Sequence, residues 1–517
     1  MITSFFGCGC GCKLLDKRLL PWRFANFHIC ALRRRDYIPD TTAIEAAGIA
    51  LRCRSSSVNF ALLHSFASVG ATCSKAILSF GFAPLHCDGR LWLKEALFGA
   101  QTIGRDGGRM AAPENIVIVG GCGHVGLPLG IVLASRGASQ VTLLDIDENK
   151  VAAVRHGHTP FMEVGAEALL QKVVGGRLRA TVDPTCLTHA DVVITVVGTP
   201  VDEHLNPTVT ELYRNIDALL EQMGNDVLFV LRSTVFPGVT KLVYDRIRTR
   251  ARNIHLAFCP ERIAEGKALE ELVALPQIVA AFEPEAQRRA RDLFLRITPS
   301  IIELTPLEAE LAKLFTNSWR YLNFAVSNQF YMLAQASDLD FYRIHDAVIR
   351  EYPRMRSFAR AGFAAGPCLL KDTLQLAAFS GNQFFMGHAA MLINEGLPNF
   401  ILSQLKGKNL SEKTVAILGM AFKAESDDSR DSLSYKLKKL LQVEAREVLC
   451  ADPYVKDPSL IPAEQAVRRS DIIVLGAPHS VYRDLEIPLQ KIVVDVWGVW
   501  TVREQGTLET AQAGKIG

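Results

Sequence analysis

The 517-residue sequence predicts an α/β protein, with two doubly wound units joined by a long central helix, behind an N-terminal segment of uncertain status. Three observations predict it. A strand runs into a glycine-rich turn and then a helical pattern from residue 116. About thirty residues from 307 onward keep helical spacing with no proline or glycine. A second strand that ends at a glycine begins at 415. Hydrophobic content of 49% with 21% charge fits packed domains rather than disorder. The length suggests about three domains.

Residues 1–109 differ in kind from the rest. They carry 14 Lys/Arg against 7 Asp/Glu and hold seven of the twelve cysteines. "GCGCGCK" at 7–13 offers alternating thiols, but no histidine or CxxC partner follows at finger-like spacing, so no metal site is expected. Seven acids argue against an organelle leader. Within this segment the uncharged stretch Val58 to Ser74 contains Asn59 and His64 and makes a poor membrane span. Met110 stands just before a strong strand, so 1–109 is read as an atypical extension, either untranslated or dispensable. The five later cysteines show no pairing pattern, which suits a reducing, cytoplasmic setting. Neither composition nor charge calls for a nucleic-acid or membrane partner.

The first unit spans 110–305. Strand Ile116–Val119 enters Gly121-x-Gly123-x-x-Gly126, and a helix follows at once. The first glycine permits the turn, the second lets backbone approach a pyrophosphate, and the third lets helix and strand pack closely. The helix N-terminus then offers unpaired N–H groups to the phosphates. "QVTLLD" ends in Asp145, placed to accept from ribose hydroxyls, which makes this a Rossmann-like, dinucleotide-binding unit. An acid there favours NAD over NADP, although Lys150 nearby blunts that preference. Two further strands end in Thr199-Pro200 and Ser233-Thr234, beyond the carboxyl edge where ligands sit. Hydroxyls there serve a ligand or cap the next helix, and the local sequence leaves both open.

The middle, 306–405, opens with the long helix, where Lys313 and Asn317 project from one turn. Before it, "CPERIAEG" carries Glu261, Arg262 and Glu265; if helical, the two acids share a face. A helix this long and apolar suits a scaffold and a dimer interface. After it, "AAGPCLLKD" sets Cys368 behind a Gly-Pro turn, with Lys371 and Asp372 beyond. Alone, Cys368 reads as a buried small residue as readily as a nucleophile. The last unit, 406–517, has strand Val415–Leu418 running into Gly419 and Ala421 without a full phosphate motif, then strands in "EVLCADPYV", "DIIVLGAP" and "KIVVDVWGVW". It is Rossmann-like, with a degraded loop.

The order of these motifs resembles the UDP-glucose/GDP-mannose dehydrogenase family over residues 113–500. "GGCGHVGLPLG" resembles its nucleotide loop, which implies NAD contacts from Gly121, Gly123, Gly126, Asp145 and Lys150. "GTPVD" and "RSTVFPG" resemble its nicotinamide loops, bringing in Thr199, Ser233 and Thr234. "CPERIAEG" resembles its substrate loop, with Glu261 and Arg262 toward the sugar nucleotide and Glu265 toward cofactor. "AKLFTN" is similar to its Lys-x-x-x-Asn segment and "GPCLLKD" to its catalytic cysteine loop. "GMAFKAESDDSRDS" resembles its C-terminal loop, which implies substrate contacts from Phe422 and Lys423 and a cofactor contact from Arg430.

The resemblance implies four-electron oxidation of a nucleotide sugar's C6 alcohol to the uronic acid, through a Cys368 thiohemiacetal and thioester. Two NAD are consumed per sugar, and members of such a family feed polysaccharide biosynthesis. Covalent capture divides the hard step into easier ones. Lys313 and Asn317 are the implied oxyanion donors, with lysine also lowering the thiol pKa. Asp372 and Thr234 hold the attacking water and Glu261 is the implied base, while Lys371 steadies substrate. Pro-Glu-Arg, where Pro-Glu-Phe is common in UDP-glucose enzymes, leans toward a UDP-N-acetylhexosamine; UDP-glucose and then GDP-mannose follow. The alternatives are a two-electron dehydrogenase of the 6-phosphogluconate or hydroxyacid kind, and a sensor that binds nucleotide sugars without turning them over.

Overall fold

The computed structural model describes residues 114–136, 140–198, 202, 208–250, 252–364 and 366–500. The expectations for residues 1–109 and for Thr199 lie outside them. All described residues fall within one compact unit, Leu85–Gly517.

The chain opens β1 (Asn115–Val119), α1 (Gly126–Arg136), β2 (Gln140–Leu144), α2 (Glu148–Arg155), α3 (Ala166–Val173), β3 (Leu178–Thr181) and β4 (Val192–Thr195). It continues α4 (Val209–Gln222), β5 (Val227–Leu231), α5 (Val239–Thr249), β6 (Ile254–Phe258), α6 (Ala268–Ala274), β7 (Gln277–Ala281), α7 (Pro284–Phe294) and β8 (Ile301–Leu304). These strands form one sheet in the order β3-β2-β1-β4-β5-β6-β7-β8. Every neighbouring pair is parallel except β6–β7. The first six strands reproduce the doubly wound dinucleotide order. Both faces of the sheet are covered: Ile116 and Ile118 of β1 enter one apolar core, and Val117 between them enters the other. Strands buried on two faces need continuous apolar runs, which "VLFVL" and "IHLAF" supply.

Next come α8 (Pro306–Ala336), α9 (Phe341–Ile349), α10 (Leu369–Phe379) and α11 (Phe385–Leu405). Thr305 and Glu308 form a capping box at the start of α8, and Pro306 sits where its missing N–H costs nothing. The carboxylate of Glu310, fully buried, accepts from Gly238 N (2.6 Å) and Thr240 N (2.7 Å), capping α5 from the long helix. An acid at that positive helix end is stabilising. The second sheet follows: β9 (Thr414–Leu418), α12 (Leu433–Glu444), β10 (Glu447–Ala451), α13 (Ala463–Arg469), β11 (Ile472–Leu475) and β12 (Ile492–Val494). Its order is β10-β9-β11-β12, all parallel. Tyr331 and Ala334 of α8 share a core with Val415, Ile417 and Ile472, so the long helix is continuous with the second sheet's packing.

Two sequence expectations are corrected. Residues 259–264 are irregular and precede a turn, so Glu261 and Glu265 do not share a helix face; Pro260 and Gly266, the latter at φ +79°, break the helix at both ends. The strands β7 and β8 extend the first sheet beyond those read from the sequence. Among the described residues, no helix is long and apolar enough to cross a membrane, and all five described cysteines are free.

Candidate active site

The glycine turn after β1 is built by contact. Gly120 N and Gly121 N both donate to Leu144 O, at 2.8 and 3.0 Å. A Cβ on Gly121 would lie 2.7 Å from Ile118 O, and one on Gly126 would lie 2.7 Å from Gly121 Cα. A Cβ on Gly123 would meet only Gly120 O, at 3.6 Å, so backbone there is open to a ligand. The cradle therefore fits a pyrophosphate at the start of α1. Asp145 accepts from Cys122 N (2.9 Å) and Asp147 N (3.2 Å), which fixes its carboxylate beside the turn. Lys150 lies 3.6 Å from Asp147, the N-cap of α2. Ser233 and Thr234 follow β5, and Ser233 Oγ is buried without a hydrogen-bond partner among the described residues.

The thiol loop lies where α8, α10 and the second sheet meet. Cys368 is the N-cap of α10, and Asp372 sits one turn inside it. Asn317 Nδ2 donates to Asp372 Oδ2 at 2.6 Å, while Asp372 Oδ1 is buried without a partner among the described residues. Burial pushes the Asp372 carboxyl up, against the pull of Lys313, Lys371 and the Asn317 bond. Burial holds the Lys313 ammonium below its ordinary value; Asp372, Cys368 and Glu261 work the other way. Cys368 keeps exposed surface, yet desolvation raises its thiol pKa, with Asp372 adding to the rise. Lys371 and Lys313 lower it but do not win. The expected depression of the thiol by lysine is thus present but outweighed in this arrangement.

Gly366 explains the Gly-Pro turn. It sits at φ +101°, and a Cβ there would lie 2.6 Å from the Phe422 ring. Only glycine lets the thiol loop and the C-terminal loop approach so closely. Lys423, beside Phe422, donates through Nζ to the carbonyl of Glu265. Arg430 binds Asp428 through Nε (2.9 and 3.0 Å) and Nη2 (2.5 Å) and lies 3.6 Å from Glu265. Glu265 Oε2 is buried without a hydrogen-bond partner among the described residues. Burial, then Asp428, pushes its pKa up to about 7.

Glu261 is held differently. Its Oε2 pairs with fully buried Arg232, and its Oε1 accepts from Arg262 N (2.6 Å) and Ile263 N (3.0 Å). The Arg262 guanidinium donates to the Pro276 carbonyl. Arg232 also binds Cys259 O and Gln277 Oε1, and stacks over Phe294.

Sequence reasoning missed two residues of this site. Arg232 carried one usable signal, a lone charge closing the apolar run "VLFVL". His124, inside the glycine turn, has its ring 4.0 Å from that of Phe161 and clusters with Glu265 and Asp428. Burial, then Arg430, lowers its pKa. Nothing in "GCGHVG" announces those remote neighbours. Arg430 already neutralises the His124–Glu265–Asp428 cluster, and these groups are not read as a metal site.

Comparison with known proteins follows the same division. The NAD binding domain of the UDP-glucose/GDP-mannose dehydrogenase family matches residues 114–298, its central domain residues 307–395 and its UDP binding domain residues 416–502. The chain is similar to an NDP-N-acetyl-D-galactosaminuronic acid dehydrogenase of Ralstonia nicotianae, 28% identical over 415 residues, covering 75% of this chain and 96% of the relative. It is similar also to a UDP-N-acetyl-D-mannosamine dehydrogenase of Methanocaldococcus jannaschii, 27% identical over 380 residues, covering 72% and 87%. Among solved structures, a UDP-D-ManNAc dehydrogenase from Pyrococcus horikoshii has a TM-score of 0.68 at 26% identity, covering 74% of this chain and 99% of that one. A UDP-glucose dehydrogenase from Pyrobaculum islandicum has a TM-score of 0.68 at 25% identity, covering 78% and 98%.

Proposed function

The chain belongs to the UDP-glucose/GDP-mannose dehydrogenase family and is an NAD-dependent nucleotide-sugar dehydrogenase; from that premise, we propose that it oxidises the C6 alcohol of a UDP-N-acetylhexosamine to the uronic acid through Cys368. The observation that carries the cysteine role is the 2.6 Å Asn317–Asp372 bond, which gathers Lys313, Asn317 and Asp372 around the turn that Cys368 caps. The acetamido preference is supported by the names of the relatives and by the Pro-Glu-Arg loop.

The chemistry balances as follows. The alcohol loses a proton and a hydride and becomes an aldehyde. The Cys368 thiol adds to the carbonyl carbon, its proton going to oxygen. The thiohemiacetal loses a second proton and hydride and becomes a thioester, which water cleaves to carboxylate and free thiol. NAD, when bound at the glycine turn, supplies the hydride acceptor for both oxidations. The Lys313 ammonium and the second N–H of Asn317 face the oxyanion that forms at each stage. Asp372 Oδ1, left unpaired in the core, holds the attacking water, and Thr234 assists it. Glu261, oriented by Arg232, takes that water's proton. Lys371, Phe422 and Lys423 steady the substrate, while Gly121, Gly123, Gly126, Asp145, Lys150, Ser233, Glu265 and Arg430 serve the cofactor.

We further propose a homodimer through α8. Phe315, Trp319, Val326, Phe330 and Leu333 form an exposed apolar stripe along this helix, at helical spacing.

The deciding test offers the purified protein NAD with UDP-N-acetylmannosamine, UDP-N-acetylglucosamine, UDP-glucose and GDP-mannose in turn. The proposal expects an N-acetylated sugar to be turned over fastest, with two NADH formed per uronic acid. One NADH per turnover would favour a two-electron dehydrogenase. No product with any sugar would favour a binding protein.

A further inference from the structure

In an open parallel sheet, a ligand enters where the strand order reverses. In the second sheet that point lies between β9 and β11, and protein fills it. A Cβ on Gly419 would lie 2.4 Å from Ala477 N, and one on Gly476 would lie 2.3 Å from Gly419 O. The two turns touch backbone to backbone. Asp452, just past β10, occupies the position that Asp145 holds in the first sheet. It accepts from Tyr454 N and Val455 N through Oδ1, at 2.8 and 2.9 Å. Through Oδ2 it accepts from Met420 N, Ala421 N and His479 Nε2, at 2.6, 3.0 and 3.1 Å. A carboxylate offers about four lone-pair sites, so five donors leave nothing for a ribose.

His479 completes the arrangement. Its side chain is fully buried, with its ring edge-on to those of Tyr454 and Tyr482. Glu425 N donates to His479 Nδ1 at 3.0 Å. A backbone N–H can only donate, so Nδ1 carries no proton and Nε2–H donates to Asp452. Glu425 itself sits at φ 52°, a left-handed conformation that costs a non-glycine residue energy and persists only where its surroundings impose it. Those surroundings are His479 on its amide, and Ser480 N (2.6 Å) and Tyr454 OH (3.1 Å) on its carboxylate. From this anchor the loop runs outward. Phe422 reaches Gly366 of the thiol loop, Lys423 reaches the Glu265 carbonyl, and Asp427 accepts from Met162 N at 3.2 Å.

We propose that His479 is a positioning residue: it pins loop 421–430 into the crevice of the second sheet, so that Phe422 and Lys423 are presented to the nucleotide sugar and the thiol loop. The proposal rests on the reading of Phe422 and Lys423 as substrate contacts. The second fold has turned its own ligand crevice into a socket for this loop.

The test compares His479→Leu, which removes both ring nitrogens, with His479→Asn, whose side-chain oxygen keeps an acceptor near the place of Nδ1. Hydrogen exchange over peptides covering 421–430 needs no substrate. It should speed up about tenfold in His479→Leu, the factor that a lost buried hydrogen bond supports, while β9 and β11 stay protected. In steady state, KM for the nucleotide sugar should rise by a similar factor, KM for NAD should rise clearly less because Arg430 is the loop's one cofactor contact, and His479→Asn should recover most of the loss. Unchanged exchange in 421–430 would overturn the anchor. Faster exchange with an unchanged sugar KM, or with equal losses for sugar and NAD, would overturn the positioning role. A parent protein that turns over no nucleotide sugar would count against the functional reading instead, and the exchange result would still decide the anchor.

Discussion

Cys368 owes its reading to neighbours distant in sequence: Lys313 and Asn317 stand some fifty residues before it and Phe422 about as far after. Cys368→Ser should keep affinity for NAD and nucleotide sugar yet lose uronic acid formation by about a thousandfold or more, followed by product chromatography. Undiminished product would make the cysteine structural. Arg232 poses the opposite case, since no sequence pattern pairs it with Glu261. Arg232→Met strands a buried carboxylate and should cost about 3–5 kcal/mol in denaturant unfolding, with Arg232→Met/Glu261→Leu recovering part of the loss. Equal instability in both would mean that the pair contributes packing rather than charge. Motif residues were legible because chemistry fixes their spacing. Arg232, His124 and His479 were not, because each acquires meaning only from partners that the topology delivers.

At the scale of elements, α8 was legible from its unbroken helical spacing, and so were the strands that end in ligand loops. Strands β7 and β8 escaped because neither leads into a ligand motif, and the antiparallel turn of β7 leaves no trace in local pattern. The loop at 261–265 misled for a related reason: acids four apart look helical until the flanking Pro260 and Gly266 are weighed. The apolar stripe on α8 carries its own prediction. Trp319→Glu with Phe330→Glu places charge across the proposed dimer contact and should yield a monomer by light scattering, with far-ultraviolet circular dichroism unchanged. A dimer that survives the double substitution would place the contact elsewhere.

Across the whole molecule, the fold class and the order of its parts followed from sequence, because each dinucleotide unit repeats one strand–turn–helix grammar. How the halves meet did not follow, since the contact depends on Gly366, Lys423 and Glu265 arriving together. Stability should carry the mark of that contact. The folded protein holds the Glu265 pKa at about 7, against 4.5 ordinarily, so its contribution favours folding below pH 4.5 and is lost as pH rises to about 7. Glu265→Gln should therefore melt above the parent at about pH 8, by a margin on the order of 2 kcal/mol, and converge with it near pH 4.5. Asp452, held down at about 2, works with opposite sign as pH falls below 3.8. Equal melting curves at both pH values would detach Glu265 from the contact. A chain begun at Met110 should match the full chain in kcat/KM, because the family match starts at residue 114. A clear loss of kcat/KM would give residues 1–109 a role.

The cap that Glu310 places on α5 lies less than one helical turn before Lys313. Cofactor half and thiol half are therefore joined in a fixed phase, and a helix advances about 100° per residue. A single residue inserted between these positions would leave the cap intact and swing both Lys313 and Asn317 off the thiol loop, whereas the same insertion at an exposed turn would be absorbed. Length variation among descendants of this gene should thus collect in the surface turns and be purged from the stretch of rod between Glu310 and Lys313.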